Sequence, residues 1–136
     1  MLKKIDHIAI YVKDLDSAIQ FFQKKYGLLA TSLDTVGEAR LAFLPIGDTQ
    51  IELIASTTPD GEIAKYIKER GEGIHHIAFE VENVKSALEK VKSEGVRCVD
   101  QEPRKGAHDS SIVFLHPESN YGVNIEFVEH KHKGGK

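Results

Sequence analysis

The stretch IDHIAIYVKDLDSA at residues 5–18 returns later in the chain as IHHIAFEVENVKSA at residues 74–87. The offset is constant at 69 residues, and seven of the paired positions are identical. Self-similarity at one fixed offset is typical of a duplicated supersecondary unit. The chain is therefore predicted to contain two repeats, at about 3–55 and 73–129, with a connector at 56–72.

Each repeat has the pattern of a strand, then an amphipathic helix, then further strands. In the first repeat we predict strands at 3–12, 29–34, 39–45 and 49–55 and a helix at 15–26. In the second repeat we predict strands at 74–82, 96–99, 110–116 and 122–129 and a helix at 84–94. The fold class is therefore α+β, with two βαβββ modules that form one curved, mostly antiparallel eight-stranded sheet.

Length and composition favour a single folded domain. The chain has 136 residues, of which 40% are hydrophobic and 29% charged, close to the averages for globular proteins. A repeat of this size is marginal alone, so both are expected to share one domain over residues 1–130. Residues 131–136 are predicted to form a flexible tail. His130 and His132, in the polar stretch EHKHKGGK at residues 129–136, are predicted to have no specific role.

Charge and cysteine content exclude several classes of protein. The formal net charge is -3, which argues against nucleic acid and anionic membranes as partners. Cys98 is the single cysteine, so no intrachain disulfide can form and a reducing compartment fits. No run of about 18 apolar residues is present to span a membrane. We therefore predict a cytoplasmic location.

Strand parity places four ionisable side chains on one face of the sheet. Side chains alternate between the two faces of a strand, so the apolar neighbours of His7 and His76 point toward the helices and the histidines point away. The same alternation places Glu52 and Glu126 on the face away from the helices. Two imidazoles and two carboxylates make a reasonable site for one divalent cation, with water completing an octahedral sphere. Co, Mn, Ni, Mg and Zn are not distinguished by this donor set.

The sequence resembles the vicinal-oxygen-chelate superfamily, and within it the methylmalonyl-CoA epimerase branch. The resemblance covers residues 3 to about 129. It is carried by DHIAIYVKDLDSAIQFF, LAFLPIGDTQIELI, GEGIHHIAFEV and EPRKGAHDSSIVFLHPESNYGVNIEF. By that similarity, the same four residues occupy the metal-ligand positions of the family: His7, Glu52, His76 and Glu126.

The resemblance implies a metal-dependent epimerase that moves the proton at C2 of methylmalonyl-CoA through an enediolate. It makes Glu126 the first candidate for a catalytic base. The second base of the family is a glutamate on the strand that matches residues 39–44. Here that strand contains Ala39 and Arg40, and Glu38 is the nearest carboxylate. Glu38 is therefore the candidate for the second base.

The resemblance also implies an acyl-CoA substrate. Arg104 and Lys105 are candidates to contact the coenzyme A phosphates, and His108 is a candidate pocket residue. His75 has the opposite strand parity to His76 and is expected to lie against a helix, whereas His116 is a further pocket candidate. An open sheet leaves edges that a homodimer would cover.

Three alternatives share this fold. A lactoylglutathione lyase of the glyoxalase I type has the same set of metal ligands, so the ligands alone do not separate it from an epimerase. A non-catalytic binding protein typically lacks the metal set. An extradiol dioxygenase uses two histidines and one carboxylate and has no use for a fourth protein ligand. The PRKGAH and FLHPESNYGV stretches favour the epimerase.

Overall fold

A computed structural model describes residues 1–131 of the chain. This part contains eight strands and three α-helices, in the order β1 (Leu2–Tyr11), α1 (Leu15–Tyr26), β2 (Ser32–Val36), β3 (Ala39–Ile46), β4 (Thr49–Ser56), α2 (Glu62–Arg70), β5 (Gly73–Val81), α3 (Val84–Ser93), β6 (Arg104–Lys105), β7 (Ser110–Leu115) and β8 (Ile125–His130). No helix within it is long and apolar enough to cross a bilayer. The predicted flexible tail, 131–136, lies outside the described residues except for Lys131.

The chain divides into two compact units. The N-terminal unit comprises His7–His75, and the C-terminal unit comprises Met1–Asp6 together with the residues from His76 onward. The strand order is β2-β3-β4-β1 in the N-terminal unit and β5-β8-β7-β6 in the C-terminal unit. In each unit the first and last strands of the repeat, β1 with β4 and β5 with β8, are parallel, and the other two neighbouring pairs are antiparallel.

Helix α1 packs one side of the N-terminal unit and begins and ends where the sequence predicts. The Asp14 side chain accepts a hydrogen bond from the Ser17 amide at 3.1 Å and so caps the helix. Gly27 ends the helix at a φ of +72°, a conformation that glycine adopts without steric cost. The buried core beneath the helix consists of apolar residues from α1, β3, β4 and the position directly after β1: Val12, Leu15, Ala42, Leu44, Leu53 and Ala55.

Helix α3 has the equivalent position in the C-terminal unit. Asn83 caps it by accepting a hydrogen bond from the Ser86 amide at 2.9 Å, the same geometry as at Asp14. Its core again joins the helix to the alternate residues of the strands: Val81, Val84, Ala87, Leu88, Val113, Leu115 and Phe127. The duplicated sequence therefore gives a duplicated helix-on-sheet unit.

One predicted strand is wrong. Residues 96–99 form no strand, and Cys98 makes an isolated bridge to Leu115. The Asp100 carboxylate explains the difference, because it accepts the Phe114 amide at 2.8 Å in place of a backbone carbonyl. The sheet edge is occupied instead by β6, further along the chain. Burial raises the pKa of the Cys98 thiol, which disfavours the reactive thiolate.

The prediction that His130 has no specific role is also wrong. Strand β8 continues to His130, whose Nε2 lies 2.7 Å from Oδ1 of the buried Asp6. Asp6 is 124 residues away in sequence, so the polar composition of the C-terminal segment gave no indication of this pairing. His132 lies outside the described residues.

Tyr121 has an unfavourable backbone conformation with no visible compensation from its side chain. It follows the short 3₁₀ helix Pro117–Asn120 at a φ of +57°, and its side chain is fully exposed. A left-handed conformation brings Cβ close to the following carbonyl and costs about 1–2 kcal/mol for residues other than glycine.

We predict that the free energy of unfolding of Tyr121→Gly is about 1 kcal/mol higher than that of Tyr121→Ala, so that the glycine variant is the more stable of the two. Both substitutions remove the exposed ring, and only alanine retains the Cβ that causes the strain. Chemical denaturation of the two variants measures the difference. Equal stability of the two variants would show that the loop relieves the strain in another way.

Candidate functional site

The N-terminal unit buries a histidine–glutamate pair. His7 lies on β1 and Glu52 on the parallel strand β4, where Ala9 is the residue opposite Glu52. His7 Nε2 is 3.0 Å from Glu52 Oε1, and both side chains are less than one-tenth exposed. The two candidate ligands that the sequence assigns to the first repeat are therefore in direct contact.

The C-terminal unit buries an equivalent pair. His76 lies on β5 and Glu126 on the parallel strand β8, where Ala78 is the residue opposite Glu126. His76 Nε2 is 2.9 Å from Glu126 Oε1, and these side chains are 4% and 6% exposed. In both units the residue two positions after the histidine lies opposite the glutamate, so the duplication extends to the register of the strands.

Packing of the apolar neighbours accounts for the orientation of these four side chains. In the N-terminal unit Ile10 and Leu53 contact the core under α1. In the C-terminal unit Phe79 and Phe127 contact the core under α3. Because strand side chains alternate, seating these residues on the helices directs the histidine and glutamate of each unit to the opposite face.

The chemistry of each pair suits a divalent cation. A carboxylate removed from water is costly unless it is paired or coordinates a metal. The partner in each unit is a histidine, which carries a positive charge only when it is protonated. Imidazole nitrogens and carboxylate oxygens are ligands that Mn, Co, Ni and Zn accept. Each unit therefore presents one nitrogen and one oxygen donor in a buried position.

The His76–Glu126 pair lies beside an apolar surface. Phe114 on β7 is opposite Glu126, and its ring contacts the His76 ring edge to face, with centroids 5.0 Å apart and planes at 90°. Phe114 also packs against a small buried cluster on this face: Ala78, Ile112 and Val128. An apolar wall with a few polar groups is typical of small-molecule sites.

Arg104, on the short edge strand β6, lies next to this apolar surface because its guanidinium is over the Phe114 ring. Its Nε donates to Asp100 Oδ1 at 3.0 Å, and its guanidinium carbon lies 5.4 Å from the centre of the Phe114 ring. Its neighbour Lys105 is exposed, as is His108, which has a φ of +52°. The structure thus brings Arg104 close to His76 through Phe114, whereas Lys105 and His108 lie at the exposed edge.

Glu38 lies away from the Glu52 carboxylate. The residue opposite Glu52 is Phe43, and Glu38 precedes it by five residues, roughly 17 Å along an extended strand. The Glu38 carboxylate instead lies against Gly61, where a Cβ would collide with it. Gly61 begins α2 without a side-chain cap, and the buried Glu38 Oε1 beside it has no hydrogen-bond partner among the described residues.

Two further histidines have structural roles. His75 stacks on Tyr11, with ring centroids 4.1 Å apart and planes at 4°, and meets Tyr66 of α2 edge to face at 4.9 Å. The prediction that His75 lies against a helix is therefore confirmed. His116 Nδ1 accepts a hydrogen bond from the Glu118 amide at 3.1 Å and caps the short 3₁₀ helix.

Phe114 and Asp100 are not among the site residues that the sequence predicts. Strand parity was a usable signal for Phe114, because it alternates with Val113 and Leu115 and those two residues lie in the helix-side core. Asp100 gave no such signal. It reaches the Phe114 amide from a loop 14 residues away, and contacts of that kind depend on the loop conformation.

Comparisons with known proteins identify the class to which this fold and these histidine–glutamate pairs belong. Residues 6–114 match the model of the Glyoxalase/Bleomycin resistance protein/Dioxygenase superfamily. The chain belongs to this superfamily, as the sequence resemblance predicts.

Within the superfamily the chain is similar to epimerases. It is 32% identical over 133 residues to the ethylmalonyl-CoA/methylmalonyl-CoA epimerase of Cereibacter sphaeroides, covering 95% of this chain and 99% of that protein. It superposes on a variant of Streptomyces coelicolor methylmalonyl-CoA epimerase in complex with 2-nitronate-propionyl-CoA with a TM-score of 0.92 and 34% identity, covering 96% of each chain. The predicted fold class is thereby confirmed.

A lyase is also among the relatives. The chain is 32% identical over 131 residues to the lactoylglutathione lyase of Escherichia coli O157:H7, covering 94% of this chain and 93% of that protein. The structural likeness to epimerases with bound acyl-CoA compounds nevertheless favours the epimerase over the lyase.

Proposed function

We propose that this protein interconverts (2R)- and (2S)-methylmalonyl-CoA with one divalent metal ion bound by His7, Glu52, His76 and Glu126. The observation that carries the proposal is the occurrence of two buried histidine–glutamate pairs at equivalent strand positions. The similarity to epimerases over nearly the whole chain supplies the reaction.

The four donor residues support binding of a metal ion, and they do not determine which metal is bound. His7, Glu52 and His76 are buried residues of the types that could hold a metal ion, and Glu126 adds a second carboxylate. A closed structural zinc site commonly uses thiolates. The single cysteine, Cys98, is half-buried and forms an isolated β-bridge with Leu115 of β7, so the donors of this site are nitrogen and oxygen atoms. Co, Mn, Ni, Mg and Zn all remain compatible with two nitrogen and two oxygen donors.

The proposed reaction removes the proton at C2 and returns one to either face of the planar carbon. A divalent ion, when bound, supplies Lewis-acid stabilisation of the negative charge that develops on the thioester oxygen. Glu126 Oε accepts the C2 proton in this scheme, because the carboxylate lies in the apolar surroundings of Phe114 and has a second oxygen beyond the one that faces His76. Glu126 thus exchanges the proton at one face of the planar carbon, and inversion needs a second acid–base group that delivers a proton to the opposite face.

Glu38 remains the sequence-based candidate for the second base. Its carboxylate lies against Gly61 at the start of α2, and Glu38 itself precedes β3, five residues before Phe43, the residue opposite Glu52. This position supports a structural role in the connector more than a role in proton transfer. A direct comparison of the Glu126 and Glu38 variants therefore separates the two assignments.

The remaining site assignments concern coenzyme A. Arg104, Lys105 and His108 are proposed to contact the substrate from β6 and the loop that follows it. Acyl-CoA compounds bound to related epimerases support a small-molecule CoA partner. A cytoplasmic location and a homodimer stay predictions from the sequence.

We predict that Glu126→Gln lowers turnover by roughly 100-fold or more, the scale of a lost general base. Glutamine retains an oxygen donor, so part of the metal content should remain. Glu38→Gln is the matched control, and it should retain turnover close to that of the unaltered protein. Steady-state rates and elemental analysis on the same preparations measure both quantities.

The opposite pattern would reassign the base. If Glu126→Gln kept near-normal turnover while Glu38→Gln lost it, Glu126 would be a ligand alone and the connector would have to bring Glu38 to the substrate.

Solvent exchange at C2 tests the proposed function itself. In deuterated water we predict metal-dependent interconversion of the methylmalonyl-CoA epimers, with deuterium entering C2 faster than in an enzyme-free control. The control matters because C2 lies between a thioester and a carboxylate and exchanges spontaneously. Mass spectrometry of the recovered thioester gives the rate.

A lyase would behave differently on the same preparation. It would leave methylmalonyl-CoA at the background exchange rate and convert the hemithioacetal of methylglyoxal and glutathione into a lactoyl thioester. That result, obtained with metal bound, would overturn the epimerase proposal.

A further inference from the structure

The guanidinium of Arg104 is held in place by one carboxylate and one aromatic ring. Its Nε donates to Asp100 Oδ1 at 3.0 Å, and the other Asp100 oxygen accepts the Phe114 amide at 2.8 Å. The Asp100 side chain is 16% exposed. The carboxylate therefore ties Arg104 to the backbone of β7 from a largely buried position.

The same guanidinium lies over the Phe114 ring, with its central carbon 5.4 Å from the ring centre. Such cation–π contacts add attraction to the fixed geometry. Phe114 in turn meets the His76 ring edge to face at 5.0 Å. One aromatic ring thus separates the cation from the His76–Glu126 pair.

Arg104 has unused hydrogen-bond donors. Among residues 1–131 its hydrogen bonding is confined to Nε, which leaves both Nη groups, with four N–H bonds, open to a ligand. Arg97 in the same unit provides the contrast, because its Nη1 is occupied by the Glu118 carboxylate. Because Asp100 holds the guanidinium through Nε, the two Nη groups of Arg104 form a fork of N–H donors that a ligand can meet.

We propose that Arg104 is the anion-recognition residue of this site, and that its Nη fork receives an oxyanion of the substrate. The proposal deepens the proposed function and rests on it for the identity of the substrate. A planar fork matches two oxygens of a carboxylate or phosphate better than an ammonium does. Fixing the fork in advance lowers the entropy cost of binding.

Two parts of an acyl-CoA could supply that oxyanion. One is the free carboxylate of a malonyl-type acyl group, which would make Arg104 a specificity residue for diacid thioesters. The other is a phosphate of coenzyme A. The chemistry at Arg104 is the same, and substrates that lack one group or the other distinguish them.

Binding of malonyl-CoA to the metal-loaded protein, measured by calorimetry, provides the test. Arg104→Met keeps the length of the side chain and removes the fork, so we expect the Kd to rise about 10- to 100-fold, as for a lost charge-assisted pair. Arg104→Lys keeps the charge and should recover part of the affinity. Arg97→Met is the matched control and should bind within about twofold of the unaltered protein, as a surface substitution away from the site does.

An unchanged Kd for Arg104→Met would overturn the proposal. Asp100→Asn provides a second route if Arg104→Met folds poorly, because asparagine can still accept the Phe114 amide while it weakens the contact with Nε. We expect a smaller loss of affinity for Asp100→Asn than for Arg104→Met, and no loss in the well-folded Asn variant would contradict the role of the fork.

Two further ligands identify the group that Arg104 recognises. Propionyl-CoA lacks the acyl carboxylate, and the malonyl thioester of pantetheine lacks the phosphates. If Arg104→Met loses affinity for both malonyl compounds and none for propionyl-CoA, the recognised group is the acyl carboxylate. If the variant loses affinity for the two CoA thioesters alone, the recognised group is a phosphate of coenzyme A. An equal loss with all three ligands would show a general disturbance of the site and overturn the proposal.

Failure of this inference is distinguishable from failure of the proposed function. Calorimetry needs no turnover, so an Arg104-dependent Kd without C2 exchange would keep the anion site and remove the epimerase assignment. Normal C2 exchange with a Kd that does not depend on Arg104 would keep the epimerase assignment and remove the anion site.

Discussion

The alternation of side chains along a strand is the constraint on which the rest of the structure depends. In both units one face of the strands is occupied by a helix, and the apolar residues on that face cannot leave it without exposing the core. The polar residues between them are therefore directed to the other face. Burial of His7 with Glu52, and of His76 with Glu126, follows from this packing together with the shared register of the parallel strands.

Burial of these pairs has a thermodynamic consequence. Desolvated carboxylates and imidazoles contribute little net stability in general, and well-packed apolar residues could replace them. Their presence at equivalent places in two units thus indicates a chemical role. Phe114 contacts the His76 ring and itself packs against the apolar side chains of Ile112 and Val128. Apolar surroundings of this kind lower the local dielectric and strengthen the charge interactions made there.

Local patterns predicted much of this protein, and long-range contacts supplied the remainder. Helix α1 begins after Asp14 and ends before Gly27 as expected, because capping and periodicity act within a few residues. The contact of Asp100 with Phe114 replaced a predicted strand, and the pairing with Asp6 gave a structural role to His130, a residue expected to have none. Composition and parity contain no information on such contacts, since they depend on how distant segments meet.

Both histidine–glutamate pairs are proposed to bind one and the same ion. X-ray absorption spectroscopy of the protein loaded with one equivalent of Co(II) tests it most directly, because scattering from imidazole rings reports the number of histidine ligands. We predict two imidazoles on a single cobalt, with oxygen atoms as the remaining ligands. One imidazole or none per cobalt, or saturation at two cobalt ions per chain, would contradict it.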